Sequence, residues 1–143
     1  MTPSAHRRPA SFALLAYYAL LLLSTALSYH QPYPLLAWVL RGPAARLAVV
    51  LDCLVLVHIV VGIAKAQRVT WYLMTAYGAF SLVSLGLVLA GTPMAELAAD
   101  LGFQGDVATF RAALVVSGAT MGVALLYGLR MRGAFWDRNP YLF

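Results

Sequence analysis

The stretch RLAVVLDCLVLVHIVVGIAKAQR, residues Arg46–Arg68, decides how the chain is read. Between its terminal basic residues it is almost wholly aliphatic. About 20 such residues at 1.5 Å each match the roughly 30 Å hydrocarbon core of a bilayer, so a membrane-spanning helix is expected over residues 44–66. Two ionisable side chains, Asp52 and His58, interrupt that run. Within a span such groups cost a few kcal/mol to insert, roughly 2.5–3.5 on translocon scales, and each demands an explanation.

Outward from this segment the pattern repeats. Lys65–Arg68 makes a tight polar turn into a third apolar run, residues 70–90, which carries no charge and offers small positions at Gly78, Ser81, Ser84 and Gly86. Upstream, residues 11–28 form a first uncharged run behind the basic start MTPSAHRRPAS. Ala26-Leu27-Ser28 could serve as a signal-peptide cleavage site, but Pro9 before a long uninterrupted run favours a retained helix. Between the first and second runs, Tyr29–Pro43 holds three prolines and the amphipathic aromatics Tyr33 and Trp38, so Leu35–Leu40 is expected to lie along the membrane surface.

Downstream, Thr92–Asp106 breaks the hydrophobicity. Thr92 before Pro93 reads as the start of a short outer surface helix, with Glu96 and Asp100 one turn apart and Gly102 at its end. A last span follows over residues 107–129, in which Gly118 and Gly122 form a small-xxx-small pair suited to close helix packing. The tail RMRGAFWDRNPYLF reads as an interfacial anchor.

The expected architecture is therefore an all-α integral membrane protein, a single domain of 143 residues built as a four-transmembrane-helix bundle with a short outer surface helix. Composition agrees: 62% of residues are hydrophobic and 10% charged, against roughly 45–50% and about 25% in soluble proteins. The net charge of +5 comes from Lys and Arg scattered between apolar runs, which excludes nucleic acid as a natural partner. With four spans, Arg7, Arg8, Lys65, Arg68, Arg130, Arg132 and Arg138 share one side, against Arg41, Arg46 and Arg111 on the other. The positive-inside rule then places both termini in the cytoplasm and the protein in the cytoplasmic (inner) membrane.

Catalytic signatures are missing: no Gly-rich phosphate loop, HExxH or CxxC occurs, and Cys53 stands alone. Attention falls on Asp52 and His58. Six residues apart on a helix, they sit about 120° apart and about 9 Å along the axis, so they cannot bond each other and form two separate sites. Asp52 is either a proton or ion relay or a carboxyl closed by hydrogen bonds to Tyr17, Tyr18, Ser24, Ser81 or Ser84. His58 is either a metal or haem ligand, with Gly62 one turn later leaving room for a flat ring, or an imidazole bonded to a backbone carbonyl or hydroxyl.

The residues His58–Ile63, H-I-V-V-G-I, resemble the haem-ligating helix of the cytochrome b membrane-anchor subunit of succinate dehydrogenase, in which a histidine is followed by V-V-V-G-I. A His-Arg pair also precedes the first span in that family, as His6-Arg7 does here. The resemblance implies that His58 is an axial ligand of a haem b shared with a partner subunit, and that Arg7 lies near a quinone site. Ala64-Lys65 stands where that family continues with Arg-His, and the fourth span exceeds its usual three.

Three functions are thus expected, in this order. The first is a non-catalytic integral membrane subunit or anchor, whose partners are the lipid bilayer and other membrane subunits or a second copy of itself. The second is a haem b or quinone-associated electron-transfer anchor. The third is a small proton-coupled carrier using Asp52.

Overall fold

The computed structural model describes residues 8–36 and 38–136. Helix α1 (Arg8–Leu27) is followed by strands β1 (Tyr33–Leu35) and β2 (Trp38–Leu40), and then by the long helices α2 (Pro43–Lys65) and α3 (Arg68–Gly91). Short α4 (Met94–Asp100), long α5 (Val107–Arg130) and the five-residue α6 (Arg132–Trp136) complete the described residues. Helices α2, α3 and α5 are each long and apolar enough to cross a membrane.

Their termini follow from local sequence. Pro43 occupies the first turn of α2, where a missing amide costs nothing. The helix ends because Ala66 turns left-handed, with φ at 54°, and its amide and that of Gln67 close back onto Ile63 and Gly62. Asp106 caps α5, accepting from the Thr109 amide at 3.3 Å and also from the Thr109 hydroxyl. Gly102 adopts the left-handed conformation after α4, as its position in the sequence suggests.

Helix α1 packs along α2 and α3 along α5, while α2 and α3 meet as a hairpin. Two apolar clusters result, one towards each end. Leu14 and Tyr18 of α1, Leu56, Ile59 and Ile63 of α2, Met74 of α3 and Phe135 of α6 form the first. Val88, Leu97, Ala98 and Phe110 form the second, so α4 docks its Leu97 and Ala98 face against α3 and α5. Outside these clusters the helices turn Leu and Val outward, as at Leu51, Leu54, Val83, Val116 and Val123. An apolar surface on this scale suits lipid and not water.

Glycines set the closest approaches. A Cβ on Gly62 would stand 2.7 Å from the Thr70 Cβ, closer still to its hydroxyl, so the α2–α3 hairpin closes only because none is there. Between α3 and α5, Gly78 receives Leu125, Gly118 receives Leu85 and Gly128 receives Met74. The Trp71 indole N–H adds a hydrogen bond to the Gly128 carbonyl at 3.1 Å, and the Arg132 guanidinium sits 5.4 Å over the Trp71 ring.

Two local features stand out. Tyr33–Leu35 and Trp38–Leu40 pair as an antiparallel β-hairpin, with Tyr33 opposite Leu40 and Leu35 opposite Trp38. Tyr, Trp and Val favour extended backbone, Pro34 is tolerated on an edge strand, and Leu36 makes the reversal at φ 54°. Thr92 does not cap α4. It ends α3, its buried hydroxyl has no hydrogen-bond partner, and Pro93 takes the cap position.

Candidate functional site: a hairpin gripped by Asp52

A two-stranded hairpin with three-residue strands is not stable by itself. This one is gripped from two helices. The Tyr33 hydroxyl donates to Asp52 Oδ2 at 2.8 Å, and the Leu36 amide donates to the buried Ser84 Oγ at 2.7 Å. The Tyr77 phenol of α3 interacts with the same Asp52 carboxyl and with Ser81. Burial and the neighbouring Asp52 together push the Tyr33 phenol well above its ordinary range.

The depth of these grips is informative. Asp52 lies nine residues into α2, and Ser84 seven residues before the end of α3; at 1.5 Å per residue they stand about 14 and about 10 Å below the helix ends. Three extended residues also cover about 10 Å. The hairpin therefore starts at the end of the bundle and puts its tip beside Ser84. Its strands are half-buried apart from Trp38, whose ring is 74% exposed.

Asp52 is thus a half-buried acceptor between the two apolar clusters, with partners on β1 and α3. Among the partners expected for it, Ser81 belongs to the group, through Tyr77, and Ser84 serves the hairpin backbone instead. Tyr17 and Tyr18 pack edge to face on α1, with Tyr18 buried in the first cluster, and Ser24 bonds back to the Leu20 and Leu21 carbonyls. Sequence reasoning missed Tyr33 and Tyr77. The available signal was a tyrosine held between two prolines, Pro32-Tyr33-Pro34.

His58 lies on a different face, as helical spacing requires. It is exposed on α2, and its Nδ1 stands 2.8 Å from the Leu54 carbonyl. A carbonyl only accepts, so Nδ1 carries the proton that this bond uses. The direction a Gly62 side chain would take is occupied by Thr70. No cluster of three or more His, Cys, Asp or Glu suited to a metal occurs among the described residues. Gly118 is a packing position against Leu85, whereas Gly122 faces open space. His6 and Arg7 lie outside the described residues.

A second polar feature lies at the bundle end where α2 begins. Arg41 and Asp100 form an ion pair at 2.5 Å that ties the hairpin's exit to the end of α4. Beside them a cleft of about 220 Å³ is bordered by the 29–32 loop and the first turn of α2, with Arg46 on its rim.

Compared with known proteins, the chain matches no family model, no curated protein and no solved structure.

Proposed function

We propose that the chain is a four-span integral protein of the cytoplasmic membrane, with both termini cytoplasmic, that serves as a non-catalytic subunit or anchor of a larger membrane assembly. One observation carries this reading. The polar side chains within the long helices are spent on the chain's own fold: Asp52 on Tyr33, Ser84 on Leu36, Thr75 on the Trp71 carbonyl and Thr120 on the Val116 carbonyl. A carrier or enzyme would aim such groups into a substrate site. Helix α1, whose apolar part Phe12–Leu27 covers about 24 Å, packs along α2 and completes the fourth span in this reading. Helix α4 and the hairpin base then lie at the outer face, and the hairpin tip is re-entrant. Non-helical backbone at membrane depth survives only where protein satisfies it, and the Ser84 bond at Leu36 does so.

Purification of the full chain in mild detergent tests the assignment. The expected product is a complex with other subunits or with further copies; a monodisperse lone monomer overturns it.

A second reading has one observation in its favour. Histidines that ligate metals characteristically donate their other ring N–H to a carbonyl or carboxylate, and His58, an exposed residue, does this through Leu54. That suits a haem b shared with another subunit in an electron-transfer anchor. The dithionite-reduced spectrum of the membranes decides: Soret and α bands lost in His58→Ala support it, and absent or unchanged bands end it.

A further inference from the structure

The geometry points to the cleft at the start of α2 as a binding site for the phosphate of an anionic phospholipid. Of its charged residues, Arg41 already holds Asp100, whereas Arg46 has no ion-pair partner among the described residues. The cleft therefore carries one uncompensated guanidinium, with His30 and Gln31 as further polar groups on its walls. A guanidinium binds a phosphate through two parallel N–H bonds, and binds it more strongly than a neutral donor would. At about 220 Å³ the space is below the roughly 300–1,000 Å³ of sites that enclose whole small molecules, and a headgroup is the better match.

The surroundings favour a lipid over a free anion. Tyr29 lies at the cleft and is partly exposed. Amphipathic aromatics of this kind concentrate at the headgroup level. The exposed Val50 and Leu54 of α2, one and two turns below Arg46, continue down the helix as a bed for acyl chains. This site is independent of the subunit assignment: a lone monomer would still bind the lipid.

The test uses the purified full chain in dodecyl maltoside, with soluble dihexanoyl phosphatidylglycerol as the probe and native mass spectrometry to count adducts. Dihexanoylglycerol, dihexanoyl phosphatidylcholine and inorganic phosphate are the comparisons. Phosphatidylglycerol is expected to bind several-fold tighter than phosphatidylcholine, and dihexanoylglycerol not to bind. Arg46→Gln should weaken phosphatidylglycerol about ten-fold or more, the equivalent of losing one charge-assisted hydrogen bond. Arg46→Lys should retain part of the affinity. Arg111→Gln removes the same charge from an exposed residue at the start of α5 and should change binding less than two-fold. Equal losses in Arg46→Gln and Arg111→Gln, or no preference over phosphatidylcholine, overturn the site. Inorganic phosphate that binds as tightly and displaces the lipid overturns its assignment to a phospholipid. Unchanged thermal melting of Arg46→Gln separates lost binding from lost folding.

Discussion

The bond between Tyr33 and Asp52 makes a quantitative claim about the hairpin. Tyr33→Phe removes one hydroxyl and leaves the ring, so packing is preserved while a half-buried carboxyl loses its donor. Stranding a buried acceptor costs about 1–3 kcal/mol, and Tyr77 still faces the carboxyl, which places this variant near the lower end. Asp52→Asn keeps an acceptor oxygen, and it should cost less than Asp52→Ala, which removes both the acceptor and its volume. The double variant Tyr33→Phe, Asp52→Ala should then lose about 1 kcal/mol less than the sum of the single losses, since the same bond cannot be broken twice. Reversible unfolding in mixed micelles measures the three free energies. Hydrogen exchange over residues 33–40 reports where the loss falls, and it should rise about ten-fold there while α5 is unchanged. Additive energies, or exchange that rises evenly along the chain, would refute the idea that this bond holds the hairpin.

Other expectations concern the rest of the frame. Gly62→Ala should cost about 1–3 kcal/mol, because a new methyl would collide with Thr70, whereas Gly122→Ala meets open space and should be neutral or stabilising by up to about 1 kcal/mol. Phe135→Ala should lower stability by about 3–5 kcal/mol by emptying a place in the first cluster, read from the same micelle unfolding. The Tyr33 phenol is held above its ordinary value of 10.0 by burial and Asp52, so its contribution is complete below about pH 10 and is lost as pH rises beyond it. An alkaline unfolding scan should show that loss in the parent chain and a smaller one in Tyr33→Phe.

What the sequence made legible follows from the range of the interactions involved. A run such as residues 70–90 announces a helix because hydrophobic length and the internal closure of helical hydrogen bonds are local properties. The cap at Asp106 and the turn at Lys65–Arg68 are local too. The separation of Asp52 from His58 also needed only the helical repeat. The hairpin is different: three-residue strands containing a proline are too short to show alternation, and their stability comes from residues 19 and 48 positions away. Asp52 was recognisable as an anomaly, but its main donor was not, since Tyr33 looked like a membrane-surface aromatic. Gly62 illustrates the same limit. Its lack of a side chain is equally compatible with a space for a ring and with a neighbouring threonine, and only the helix packing decides for Thr70.

Phe135 bears on the order in which the molecule can be made. It comes from α6, after the long helix α5, yet it is 2% exposed and belongs to the same cluster as Leu14 and Tyr18 of α1 and Leu56 and Ile59 of α2. A chain emerging from the ribosome delivers α1 and α2 long before α6. During that interval the cluster that the first two helices share lacks this ring, and it remains adjustable until α6 has been made. A short aromatic helix seating itself then completes the cluster, so a stop before residue 135 would leave α1, α2, α3 and α5 present and their shared cluster unlatched.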